Sequence, residues 1–147
     1  MRLHHIGLAT NNIDESIRNH KSLFNFEPVS DIVADEQNKV KVVLLSDSRS
    51  IGPAIELVCP LGEDSPISNL LKRGFNLYHL CFVVGNLELS LEKAQKSGAK
   101  KVFGPSQAKL YDGKRIAFVY TKDRYLVEFL EDPSENNSED VVASSVS

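Results

Sequence analysis

Little in this chain supplies staples, anchors or reactive motifs. It has two cysteines, Cys59 and Cys81, which stand 22 residues apart with no C-x-x-C arrangement. Both lie in apolar runs, "IELVCP" and "HLCFVV". They read as buried small apolar groups, with a disulfide or a reactive thiol as the alternatives. No apolar run reaches the roughly 18 residues that a membrane-spanning helix needs. The N-terminus, "MRLHHIGLAT", is soon interrupted by polar and charged residues, unlike a secretory signal, and the expected compartment is the cytoplasm. A basic excess is also missing. Net charge is −3, and the stretch 131–147 carries five acids and no Lys or Arg. The remainder holds 17 basic against 15 acidic residues. That near-neutral body argues against a nucleic-acid partner, which calls for a basic stripe and a far higher isoelectric point. There is no glycine-rich phosphate loop, no G-x-S-x-G and no Cys-His pair of recognised spacing.

At 147 residues, 41% hydrophobic and 25% charged, the chain has the size and balance of one soluble domain able to bury a core without staples. Its main feature is an internal echo. "LHHIGLATNNIDESI" (3–17) and "LYHLCFVVGNLELSL" (77–91) align at an offset of 74, which matches His5 with His79, Asn12 with Asn86 and Ser16 with Ser90. Residues 3–9 alternate as a strand. Asn11 or Asn12 then caps a helix whose first turn holds Asp14 and Glu15, with Ile13, Ile17, Phe24 and His20 on one face. Residues 26–33, "KVKVVLLSD" and "AIELVCP" read as three more strands. A linker, 61–75, contains a short helix from Pro66. The second half repeats the order: strand "LYHLCFVV", helix "NLELSLEKAQKSGA" stopped by Gly98, then strands "KKVFG", "RIAFVYT" and "YLVEFLED". The expected fold class is therefore α+β. Two tandem βαβββ units, 1–60 and 76–132, arise by duplication, because one unit alone is too small to close a core. The acidic segment 133–147 is expected to be disordered.

The units also end alike, in "AIELV" and "LVEFL", so Glu56 and Glu128 are equivalent. The intervals His5 to Glu56 and His79 to Glu128 are 51 and 49 residues. Each glutamate interrupts an apolar strand and faces away from its neighbours. A carboxylate on the inner side of a sheet needs a partner, and a divalent metal is one. Imidazole with carboxylate suits Mn, Fe, Co, Ni or Zn, with two positions left open at an octahedral ion. A single His or Glu in a strand is more often structural, and spacing alone leaves both readings open. His4 and His20 have no echo and read as surface or packing residues. Lys72, Arg73, Lys114 and Arg115 read as solvated surface, with contact to an anionic substrate as the alternative.

Taken with "HHIG", "YHLCF" and "LVEFLE", the two units resemble the vicinal oxygen chelate superfamily, the glyoxalase-like fold, over residues 2–132. The stretch "IELVCPLGEDSPISNLL" resembles the metal-ligand and linker segment of methylmalonyl-CoA epimerases. The resemblance implies a U-shaped, partly open β-barrel around a divalent ion held by His5, Glu56, His79 and Glu128, in chains that often pair as homodimers. It implies isomerase or lyase chemistry, in which a metal-bound carbonyl lets a glutamate move the neighbouring proton. Glu128 best matches that base, and some epimerases carry glutamine at the position of Glu56. The carrier would be coenzyme A, a carrier protein or glutathione. Two departures stand out. "VKVVLL" offers no second carboxylate, with Val42 or a neighbour in its place. The last hairpin reads Tyr120-Thr121 where the epimerases have His-Pro. Two further readings accompany this one. If Glu56 is not a ligand, His5, His79 and Glu128 form a two-histidine-one-carboxylate set suited to an Fe(II)-dependent dioxygenase. A non-catalytic small-molecule binding protein is the other, though such a protein needs no metal set.

Overall fold

The computed structural model describes residues 1–49 and 51–135. The strands are β1 (Arg2–Ala9), β2 (Phe26–Pro28), β3 (Val33–Asp35), β4 (Val40–Asp47), β5 (Ala54–Pro60), β6 (Leu77–Val84), β7 (Lys100–Gln107), β8 (Arg115–Tyr120) and β9 (Leu126–Glu131). The helices are α1 (Ile13–Phe24), α2 (Ser68–Lys72) and α3 (Leu87–Lys96). The α+β class with two βαβββ repeats is present, and the first repeat carries β3 as one additional short strand. No described helix is long and apolar enough to cross a membrane. The chain divides into two compact units, one of His5–His79 and one of Met1–His4 with the chain from Leu80 on.

In the His5–His79 unit, β5 lies parallel to β1 and antiparallel to β4. The short β2 and β3 both pair antiparallel with β4. Helix α1 starts where Asn12 accepts a hydrogen bond from the Glu15 N–H at 3.0 Å, and it stops at Asn25, which takes a left-handed φ of 59°. Alternation along the strands sends Val43, Leu45, Leu57 and Cys59 to one face, where Ile13 of α1 closes the core. The other face carries His5, Gly7, Val42, Leu44 and Glu56.

The second unit has the same plan. Strand β9 lies parallel to β6 and antiparallel to β8, and β8 pairs with β7. Asn86 caps α3 by accepting from the Leu89 N–H at 3.0 Å. Leu87 and Leu91 of α3 pack on Val84, Ala117, Val119, Val127 and Phe129. The opposite face holds Cys81, Ile116 and Leu130. Register repeats as well as order. Ile6 faces Ile55 and Gly7 faces Glu56 in the first ladder. Their equivalents Leu80 and Val127, then Cys81 and Glu128, face one another in the second.

Several local expectations are corrected. The strand expected over 26–33 is broken into β2 and β3. Pro28 ends the first piece, and the Ser30 hydroxyl accepts the Leu44 N–H at 2.9 Å, which a continuous ladder would have used. Phe24 does not join the buried face of α1. It is 57% exposed, because the helix ends there and Asn25 turns the chain away. His20 turns back on its own helix, with Nδ1 2.7 Å from the Ser16 carbonyl. Helix α2 begins at Ser68 rather than Pro66. Strand β7 runs on to Gln107 with two register shifts, which let Gly104 and Pro105 lie in it.

At the end of β9, Asp132 accepts from the Ser134 hydroxyl at 2.7 Å and from Lys114 Nζ at 3.0 Å. Pro133–Glu135 form a 3-10 turn, and Glu135 pairs with Arg2 at 2.8 Å. The remainder of the expected disordered segment, 136–147, lies outside the described residues. The Ser134 hydroxyl, and after it Lys114, hold the Asp132 carboxyl down to about 2. A depressed carboxylate stabilises the fold above its unfolded value of about 3.9, and this contribution is lost as pH falls through the folded value. The melting-temperature gap between wild type and Asp132→Asn is therefore expected to narrow as pH falls from about 4 to about 2. A gap that stays constant through that window would refute this role.

Candidate metal centre

His5 and His79 are 74 residues apart, yet their Nε2 atoms lie 3.0 Å from each other. The Glu56 carboxylate spans the pair. Its Oε2 is 3.4 Å from His5 Nε2 and its Oε1 is 3.7 Å from His79 Nε2. All three side chains are buried, with exposures of 0%, 6% and 2% in chain order. The fold produces this convergence locally. In the β1–β5 ladder His5 faces Ala54 and Gly7 faces Glu56, so His5 and Glu56 leave the same face two residues apart in register. The start of β6 reaches that face because Asn76, just before it, is bound to Ala9. The Asn76 carbonyl accepts the Ala9 N–H at 2.7 Å, and the Asn76 side-chain amide donates to the Ala9 carbonyl at 3.2 Å.

The donor set fits a divalent transition ion. Two imidazole nitrogens aimed at one another at 3.0 Å repel unless a proton or a cation lies between their lone pairs. A buried carboxylate beside them adds the negative charge that a cation would offset. Donors that each sit about 2.1 Å from one ion are about 3.0 Å apart when at right angles and about 3.4 Å apart when tetrahedral. The observed 3.0, 3.4 and 3.7 Å fall on and just above that scale. Two imidazoles and a carboxylate suit Mn, Fe, Co, Ni or Zn better than Ca or Mg. Some rearrangement on binding is expected, since the Nε2 atoms hydrogen-bond in their present positions.

Glu128 lies in the second unit, 2% exposed on β9, with Cys81 and Phe118 as its ladder neighbours. Leu44 faces Glu56 from β4, and Val42 lies two residues along the same face. Where the sequence offered no second carboxylate, β4 therefore presents the apolar Val42 and Leu44 beside Glu56. The other singled-out residues make contacts of their own. His4 stands edge-on to Tyr111, centroids 5.4 Å apart. Arg115 is held by both oxygens of Glu88 and by Glu131, which raise its already high basicity, and Lys114 is held by Asp132. Arg73 lies over the Phe75 ring at 5.6 Å. Lys72 shares the wall of a cleft of about 360 Å³ with Glu63 and Ser68. Cys59 and Cys81 are buried and form no disulfide, and burial pushes the Cys59 thiol up, away from reactivity. Sequence reasoning passed over Gly7. The only signal was a glycine inside a strand, two residues after a candidate ligand.

The chain is 27% identical over 123 residues to the mitochondrial methylmalonyl-CoA epimerase of Dictyostelium discoideum, covering 82% of this chain and 71% of that protein. It is 26% identical over 125 residues to the ethylmalonyl-CoA/methylmalonyl-CoA epimerase of Cereibacter sphaeroides, covering 83% and 90%. Among solved structures, the methylmalonyl-CoA epimerase of Mycobacterium tuberculosis superposes with a TM-score of 0.77 over 97% of this chain and 91% of that one, at 24% identity. A methylmalonyl-CoA epimerase solved with methylmalonyl-CoA and ammonium superposes at 0.75 over 91% and 96%, at 22% identity. These likenesses carry the fold. Residues 4–118, the greater part of the sequence, match the family model for the glyoxalase/bleomycin resistance protein/dioxygenase superfamily, and the chain belongs to that superfamily.

Proposed function

We propose that this protein is a divalent-metal-dependent epimerase or isomerase acting on an acyl thioester of the methylmalonyl-CoA type. The observation that carries this reading is the buried convergence of His5, Glu56 and His79. The repeated register of Gly7 with Glu56 and Cys81 with Glu128 supports Glu128 as the fourth ligand. The curated epimerases it resembles supply the reaction class.

A divalent ion bound there supplies Lewis acidity that offsets the charge developing on a substrate carbonyl oxygen. The chain's own residues do the rest. Both histidines would ligate the ion through Nε2. Glu56 holds its place between them and balances charge. Glu128 would take the proton from the carbon next to the thioester carbonyl, and inversion would need a proton delivered to the opposite face, for which Glu56 is the other carboxylate of the proposed set. Val42 and Leu44 line the Glu56 face and bring no second carboxylate, so proton traffic rests on the glutamates of the proposed metal set. The dioxygenase reading requires Glu56 to stand outside that set, and its 3.4 Å approach to His5 counts against this. A binding module has no use for three buried ligating groups.

The test is incubation of the metal-loaded full chain with methylmalonyl-CoA in heavy water. The expected result is exchange of the α-hydrogen with interconversion of epimers, both lost on chelation and restored by one of Co, Mn, Ni, Zn or Fe. Exchange that persists undiminished in chelated protein would overturn metal dependence. Bound metal without exchange on any acyl-CoA would overturn the thioester assignment.

A further inference from the structure

Gly7 is an interior residue of β1, yet its backbone does not require glycine. Its φ lies outside the left-handed region, unlike Gly62, Gly74, Gly98, Gly104 and Gly113. What requires it is space. A Cβ built at Gly7 would meet His79 Cε1 at 2.3 Å, Nδ1 at 2.4 Å and Nε2 at 2.8 Å. Real Cβ atoms essentially never approach a neighbour so closely, and here three ring atoms are involved. The imidazole therefore lies directly over the bare backbone of β1. The ring is 2% exposed and sits beside His5 and Glu56, so relieving such a clash would move it from that place. Gly7 is also the ladder partner of Glu56, so the missing side chain lies where Glu56 and His79 meet. The equivalent position in the second repeat holds Cys81. The repeat itself therefore does not demand glycine at this point.

We infer that Gly7 is a positioning residue for the metal centre: its missing side chain is the seat of the His79 ring, and any Cβ there displaces His79 Nε2 from the ligand cluster. The inference rests on the metal reading for its consequence, but its steric part is separable. Glycine within a strand is otherwise a cost, through backbone entropy and lost packing. Retaining it here makes sense only if the ring needs the room.

The experiment is a double-mutant cycle in the full chain, with Gly7→Ala, His79→Ala and the double variant measured both with chelator and after metal reconstitution. In chelated protein, Gly7→Ala is expected to lower the melting temperature by roughly 5–10 °C, as overpacking in a core does. In the His79→Ala background the same change is expected to cost less than about 2 °C or to stabilise, because the obstructing ring is gone. Imidazole nitrogen shifts in chelated protein should report a moved His79 in Gly7→Ala, while His20 stays unchanged. If Gly7→Ala fails to fold, recovery of a folded double variant supports the seat, and its failure to fold overturns it. Equal melting shifts in both backgrounds would overturn it too, leaving Gly7 as a strand residue only. After reconstitution, Gly7→Ala is expected to bind metal more than tenfold more weakly than wild type. Coupling in the chelated cycle with no metal bound by wild type would sustain the seat and refute the metal reading. Wild-type metal affinity in Gly7→Ala would overturn the positioning role.

Discussion

Glu128→Gln is expected to slow α-hydrogen exchange by about 10²–10⁴-fold, the usual effect of removing a positioned base, with disturbed charge at the ion adding to the loss. Glutamine keeps an oxygen at nearly the same place, so the variant should hold more metal than Glu128→Ala. This separates ligation from proton transfer. Glu56→Gln is the companion variant. In the resemblance to epimerases that position tolerates glutamine, and the Glu56 carboxylate is flanked by both histidines. Exchange should survive there to within about tenfold, well short of the loss of a base. The measurement is deuterium incorporation from heavy water into the thioester, with metal content determined on the same samples. If Glu128→Gln exchanged as fast as wild type, Glu128 would be a ligand only, and Glu56 would be the remaining carboxylate to carry the proton.

His79→Ala is expected to reduce metal binding from about one ion per chain to near none. Loss of an outer partner of a ligand typically costs 10–100-fold in affinity, so loss of a ligand should exceed about 100-fold. His4→Ala should leave metal binding intact. Its ring touches Tyr111 edge-on, a contact worth about 0.5–1.5 kcal/mol, or a few degrees in melting temperature for a chain of this size. The adjacent residue His5, fully buried within 3.0 Å of His79, makes the contrast sharp. Metal analysis and calorimetric titration of the purified variants decide it. Equal occupancy in His79→Ala and His4→Ala would remove His79 from the ligand set.

Much of the molecule was legible in the chain. The echo at an offset of 74 carried the repeat and the pairing of His5 with His79 as candidates, and the first helix's cap was narrowed to Asn11 or Asn12. These are local facts: a cap is read within three residues and a strand's face within two, so sequence periodicity determines them. The failures came from contacts beyond that range or from the end of an element. The break after Pro28 depends on the Ser30 hydroxyl intercepting the Leu44 N–H, 14 residues away. Phe24 looked like core by periodicity, but Asn25 takes the chain out of the helix before that face can be covered.

The sequence by itself thus determined which residue types stand at the equivalent points of two repeats, and therefore which four side chains were worth testing as ligands. It could not determine distance. Only the tertiary structure decided that Nε2 of His5 and Nε2 of His79 lie 3.0 Å apart with Glu56 across them. That closeness depends on the β1–β5 register and on the Asn76–Ala9 hydrogen bonds, which join segments dozens of residues apart. Gly7 shows the same division. Its identity is in the sequence, but its reason is a ring from residue 79 that occupies the volume of its absent side chain. Excluded volume between distant segments leaves no periodicity to read, so only folding the chain reveals it.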